Sequence, residues 1–91
     1  EIQIPQYKIK NLKVNKIITF KSQSMDGKDV VYEFYLMKKG NWSLVQKFGK
    51  KDDYSFIPLA KGIYRMLVLS KSFYKSISYE DYDIIGVEVK E

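Results

Sequence analysis

The sequence predicts an all-β domain, an immunoglobulin- or fibronectin type III-like β-sandwich of about seven antiparallel strands. Segments in which apolar and polar residues alternate recur about every ten residues, whereas helical periodicity is hard to find. The connections between these segments are short and polar. The chain has 91 residues, of which 45% are hydrophobic and 15% aromatic, so it suits one compact domain spanning residues 1–91.

Four strands are expected in the first half of the chain. They are 7–14, which changes phase partway, 16–22, 30–38, and a segment from Trp42 to Gly49. A turn at Asp26-Gly27 precedes the third strand, and a turn at Gly40 precedes the fourth, because glycine tolerates a positive φ. Residues 1–5 are expected to be a linker, an inter-domain tail that ends at Pro5.

Three further strands are expected in the second half, at 54–57, 63–70 and 84–90. The segment 63–70 is the most continuously apolar part of the chain, which suits a central strand that is covered on at least one face and partly on the other. Residues 71–83 are polar and aromatic and are predicted to form a long loop.

Alternation along two of these strands predicts the core. Tyr32, Phe34 and Leu36 share one face of their strand and are expected to meet Tyr64, Met66 and Val68 across the core. Trp42 on the following strand is expected to fill the sandwich or to cap its rim, where the indole N–H needs a partner.

Composition argues against catalysis. The chain has no cysteine and no histidine, which excludes thiolate nucleophiles, imidazole bases and zinc-finger spacing. The acidic clusters, Asp52-Asp53 and Glu80-Asp81 with Asp83, lie in predicted loops, and a sandwich of this size offers no deep cleft to hold two carboxylates. We therefore expect no enzyme activity, no cofactor and no metal site. Calcium at Asp81 and Asp83 is the alternative to solvated turn acids, but no recognisable loop motif favours it.

Charge is distributed unevenly along the chain. Residues 1–51 carry eleven lysines against four acids, and residues 52–91 carry five basic groups against seven acids, for a net charge of +5. A face that binds polyanions and lysines that protect strand edges are both compatible with this excess, and the alternation of lysines with apolar residues favours edge protection. Nucleic acid is not an expected partner, because no Gly-rich aromatic motif is present. No apolar run is long enough to insert into a membrane as a helix.

Residues 30–70 also carry a motif. Tyr32 and Phe34 occupy alternate positions, the tryptophan follows, and then come a turn with Leu59 and Gly62 and a tyrosine, Tyr64, that opens the next strand. This pattern resembles the triple-tyrosine (three-Y) domain, found in sensor regions of bacterial two-component regulators and in clostridial cell-surface and cell-wall proteins. The Tyr82-Asp83 pair before the last strand fits the clostridial variety. One departure is Phe34, which stands where the family has its second tyrosine.

The resemblance implies a location and a role. The chain would be a non-catalytic module excised from a larger secreted, cell-surface or cell-wall bacterial protein, acting beside neighbouring modules as a spacer or as a recognition element for a wall glycan or a protein. The alternative is a signalling connector in the extracytoplasmic region of a two-component sensor. The residues from Leu59 to Tyr64 resemble the tyrosine corner of sandwich domains, whose hydroxyl bonds to an upstream backbone group.

Four aromatic residues outside the predicted core are the candidate ligand or partner contacts. Tyr35 points away from the inward face of its strand, and Phe73, Tyr74 and Tyr79 lie in the predicted loop close to lysines. Exposed rings beside hydrogen-bonding groups suit stacking on a sugar or anchoring of a protein. The alternative is that these rings hold the long loop onto the end of the sandwich.

Overall fold

The computed structural model describes residues 12–25 and 27–91, and these residues form six strands in two antiparallel sheets. The strands are β1 (Ile18–Lys21), β2 (Val30–Lys38), β3 (Asn41–Gly49), β4 (Asp53–Phe56), β5 (Gly62–Ser72) and β6 (Asp81–Val89). The larger sheet has the order β3-β2-β5-β6, and the smaller sheet pairs β1 with β4. The prediction of an all-β, sandwich-like fold is confirmed.

The predicted first strand falls mostly outside the described residues, as do the linker at 1–5 and Asp26 of the turn before β2. Of the predicted strand, residues 12–14 are described, and they make a single parallel bridge between Lys13 and Lys90. The amide of Val14 donates to the carbonyl of Lys90 at 2.9 Å, and the amide of Lys90 donates to the carbonyl of Leu12 at 3.0 Å.

A two-residue turn joins β2 to β3. Lys38 pairs with Asn41, and the intervening Lys39 and Gly40 have φ values of 51° and 80°. Positive φ at both central positions is the type I′ geometry, whose twist matches that of the flanking strands. The register of this hairpin places Trp42 directly opposite Met37.

The strand predicted to be central, β5, does lie between β2 and β6. The predicted loop at 71–83 is too long, because β5 continues to Ser72 and β6 begins at Asp81. Pairing of Ser70 with Asp81 extends the β5–β6 ladder past the apolar residues that mark the strand in the sequence. Backbone hydrogen bonds do not require apolar side chains, so the loop shrinks to residues 73–80.

The core lies between the two sheets. All six residues predicted to face inward are buried: Tyr32, Phe34, Leu36, Tyr64, Met66 and Val68. They do not meet across the core, however, because β2 and β5 are neighbours in one sheet, with Phe34 paired to Val68. The smaller sheet supplies the opposite side with Phe20, Tyr54 and Phe56, and the Phe34 ring lies edge-on to Phe20 at 6.4 Å.

A tyrosine at the start of β5 holds the preceding turn in place. The Tyr64 hydroxyl donates to the carbonyl of Ala60 at 2.5 Å, four residues upstream, as in a tyrosine corner. Gly62 in this turn has φ of 143°, a conformation that favours glycine. Leu59, the other residue of the motif, is 81% exposed and contributes nothing to the core.

Candidate functional site

Residues 73–80 form an exposed loop between β5 and β6, which we call the aromatic loop. Four large apolar side chains of this loop are solvent-accessible: Phe73, Tyr74, Ile77 and Tyr79. The Phe73 and Tyr74 rings meet edge to face, with centroids 5.3 Å apart. Tyr74 is 75% exposed, so this ring pair is largely free to contact another molecule.

Polar contacts hold the aromatic loop in a defined shape. The Glu80 carboxylate accepts hydrogen bonds from the Ser72 amide at 2.6 Å and from the Lys75 ammonium at 2.9 Å. The Lys71 ammonium donates to the carbonyl of Ile77 at 3.1 Å. The hydrogen bond from Lys75, together with that from the Ser72 amide, lowers the pKa of Glu80. The loop therefore does not need to order on binding, which reduces the entropic cost of association.

The base of the loop is also attached to the body of the domain. The amide of Phe73 donates to the carbonyl of Asp29 at 2.6 Å, and the amide of Glu80 donates to the carbonyl of Ser70 at 2.8 Å. Both ends of the aromatic loop are thus anchored by backbone hydrogen bonds to the larger sheet and to the turn before β2.

Next to the loop lies the face of the larger sheet that points away from the smaller one, which we call the outer face. Tyr79 stacks edge to face on Tyr82 of β6, with centroids 6.2 Å apart, and Tyr82 is paired with Leu69 on this face. The outer face carries many large side chains that are exposed or half-buried. They are Tyr35, Met37, Trp42, Leu44, Leu67, Leu69, Tyr82 and Ile84.

The prediction that Trp42 joins the core or caps its rim is wrong. Its side chain is 43% exposed and lies opposite Met37 on the outer face. The turn at Gly40 is the sequence feature that predicts the outward position of Trp42. A two-residue turn places Trp42 across from Met37, which the alternation of β2 had already directed outward.

Tyr35 also lies on the outer face, between Leu44 of β3 and Leu67 of β5. Its hydroxyl donates to the Glu33 carboxylate at 2.7 Å, and this hydrogen bond is the largest of the effects that raise the pKa of Tyr35, followed by burial. The ring is half-buried by its neighbours, so it is less available than the loop rings.

The four candidate residues do not form one cluster. The structure brings Phe73 and Tyr74 together, places Tyr79 against Tyr82, and leaves Tyr35 in the middle of the sheet. Sequence reasoning missed the exposure of Ile77, although it lies in the same predicted loop as the candidate rings.

Asp83 is buried on β6, so the prediction that it is a solvated loop acid is wrong. Its Oδ2 accepts hydrogen bonds from the amide of Gln23 and, at 3.4 Å, from the Ser22 hydroxyl, while among the described residues its Oδ1 has no partner. Burial raises the pKa of Asp83, and the hydrogen bond from Gln23 opposes that shift. Extension of the β5–β6 ladder carries this residue into the interior opposite Val68.

The buried carboxyl predicts a pH dependence of stability. Because the pKa of Asp83 is raised in the folded state, the folded protein holds this proton more tightly than the unfolded chain does. The contribution of this group to stability is therefore present below the ordinary aspartate pKa of about 3.9, and it is lost as pH rises through the higher folded pKa. Denaturant titrations of the wild type and of Asp83→Asn over this range should show the loss in the wild type alone. Parallel profiles of stability against pH for the two proteins would contradict this role of Asp83.

A cavity of about 330 Å³ opens between the sheets where β1 and β6 face each other. Its lining is mainly apolar and includes Ile18, Phe20 and Val87, and the described residues among it contribute no carboxylate. Within residues 12–25 and 27–91, no three His, Cys, Asp or Glu side chains group in a way that could hold a metal ion. In the same part of the chain, no helix is long and apolar enough to cross a membrane.

No family model matches this chain, and no match was found among curated proteins or solved structures. The resemblance to the three-Y domain therefore stays a prediction.

Proposed function

We propose that this domain is a non-catalytic recognition module of a secreted or cell-surface bacterial protein, and that its aromatic loop binds a glycan of the cell wall. The location rests on the resemblance of residues 30–70 to the three-Y domain. The binding role rests on the aromatic loop itself.

The observation that carries the proposal is the exposed pair of Phe73 and Tyr74 on a loop whose shape is already set. The face of an aromatic ring carries partial negative charge and attracts the polarised C–H groups of a sugar ring. Polar groups beside the rings, such as the Lys75 ammonium and the Tyr74 hydroxyl, can bond to sugar hydroxyls. A hydrogen-bonded loop with accessible rings therefore suits a glycan, which offers both kinds of contact.

We also propose that the sandwich belongs to the immunoglobulin or fibronectin type III class. Two features support this assignment. The Tyr64 hydroxyl bonds to the carbonyl of Ala60 as in a tyrosine corner, and the two sheets enclose one aromatic core. The seventh strand of that class stays a prediction.

The proposed function predicts that Tyr74→Ala weakens binding to purified wall polysaccharide roughly tenfold, as expected for loss of an anchoring aromatic side chain. The melting temperature should change little, because the side chain is largely exposed. Isothermal titration calorimetry and thermal unfolding of the same preparations measure both quantities.

Ile63→Ala is the matched control, because Ile63 is also an exposed apolar residue but lies at the other end of β5. Equal weakening by both variants would contradict a site on the aromatic loop. If the wild-type domain binds no wall polysaccharide, glycan recognition is rejected, and the module acts as a spacer or binds a protein.

A further inference from the structure

The end of the sandwich opposite the aromatic loop forms a second distinctive surface, which we call the basic end. It consists of residues 13–17, 38–41, 57–65 and 88–91. Contacts between these segments bring them together: the amide of Asn15 donates to the carbonyl of Pro58 at 2.8 Å, and Lys13 bridges to Lys90. Lys38 is paired with Tyr64 in the larger sheet.

Positive charge is concentrated on the basic end. Its basic side chains are Lys13, Lys16, Lys38, Lys39, Lys61, Arg65 and Lys90, and its acidic side chains are Glu88 and Glu91. Of the ion pairs formed by the described residues, one involves this end, between Lys61 and Glu91 at 3.9 Å, and both of its side chains are largely exposed. Most of this charge is therefore available to an external anion.

Apolar side chains project from the same end. Ile18 pairs with Phe56, so the next residues outward, Ile17 and Ile57, lie beside each other just beyond the β1–β4 ladder. Ile17 is 67% exposed, and Leu59, two residues after Ile57, is the most exposed large apolar residue at this end.

The turn that carries Leu59 has a backbone that hydrogen bonds hold in place. The carbonyls of Pro58 and Ala60, on either side of Leu59, accept hydrogen bonds from the Asn15 amide and the Tyr64 hydroxyl. The exposed side chains of Ile17, Ile57 and Leu59 lie among the lysines of the basic end, so this surface combines apolar area with positive charge.

We propose that the basic end docks on the surface of an anionic lipid bilayer, with Ile17, Ile57 and Leu59 entering the headgroup region and the lysines facing the lipid phosphates. A second copy of the chain would bring like charges together, and a soluble polyanion would use the lysines but leave the apolar side chains exposed to water. An anionic bilayer accommodates both the apolar side chains and the lysines, because apolar burial and attraction to anionic headgroups add together in interfacial binding. Such a domain lies on the membrane surface and does not span the bilayer.

Co-sedimentation of the whole chain with unilamellar vesicles tests the proposal. We expect binding to phosphatidylcholine vesicles that contain phosphatidylglycerol, little binding to phosphatidylcholine alone, and weakening by salt. Leu59→Asp should lower the partition coefficient roughly tenfold or more, because it removes apolar burial and adds an unfavourable charge. Its exposure means that the fold should tolerate the change, which circular dichroism checks.

Charge variants complete the test. Lys16→Glu combined with Lys38→Glu should weaken binding by roughly tenfold or more, whereas Lys28→Glu combined with Lys50→Glu, exposed lysines outside the basic end, should change it little. Tyr74→Ala should also leave vesicle binding unchanged, which separates this surface from the glycan site. Absence of vesicle binding would overturn the proposal. Binding that Leu59→Asp leaves unchanged, with equal affinity for soluble polyphosphate, would overturn it in favour of a purely electrostatic polyanion site.

Discussion

Replacing Phe34 with alanine is expected to lower the free energy of unfolding by about 4 kcal/mol, the range for truncation of a fully buried aromatic residue. Phe34 has no exposed surface, and its ring contacts Phe20 at 6.4 Å and Tyr54 at 6.1 Å between centroids. Its ring therefore connects the larger sheet to both strands of the smaller sheet. Urea denaturation followed by fluorescence or circular dichroism measures the change.

Phe73→Ala is the control for Phe34→Ala, because it deletes the same ring from a side chain that is 62% exposed. Its effect should stay within about 0.5 kcal/mol, as is usual for surface substitutions. Similar losses for the two variants would mean that the two sheets are not held together by the aromatic core described above.

Replacing Tyr64 with alanine is expected to cost about 3 kcal/mol, because it removes a buried ring that packs on Phe56 at 5.7 Å. Tyr64→Phe keeps the ring and removes only the hydroxyl that bonds to Ala60, so it should cost about 1 kcal/mol. Chemical denaturation of the two variants separates packing from the hydrogen bond.

The stability losses of Tyr64→Phe and Tyr64→Ala, compared with each other, test the tyrosine-corner interpretation. If Tyr64→Phe costs as much as Tyr64→Ala, the hydroxyl rather than the ring stabilises the corner. If neither variant lowers stability measurably, the tyrosine-corner interpretation of this turn is wrong.

Much of the fold could be predicted from the alternation of apolar residues. In a strand, successive side chains point to opposite faces, so the pattern from Tyr32 to Leu36 specifies which side is buried without any knowledge of the partner strand. The burial of these residues and of Tyr64 follows the pattern. The central position of β5 follows likewise from its continuous apolar run.

The candidate surface was predictable in part. Phe73 and Tyr74 lie in a polar segment without alternation, and that is enough to place them outside a core. Their edge-to-face contact, and the hydrogen bonds that Glu80 accepts from Ser72 and Lys75, depend on the path of the loop. Sequence periodicity carries no information about that path.

By itself, the sequence determined that this chain is an all-β domain, that Tyr32, Phe34 and Leu36 face inward, and that Phe73 and Tyr74 lie outside the core, because these properties depend on local side-chain periodicity. Tertiary structure alone decided that β2 and β5 lie side by side and that Asp83 is buried. Each of these depends on strand register and on the length of a hydrogen-bonded ladder. Both are set by pairings between residues far apart in the chain, and a one-residue change in register reverses the face of every side chain in a strand.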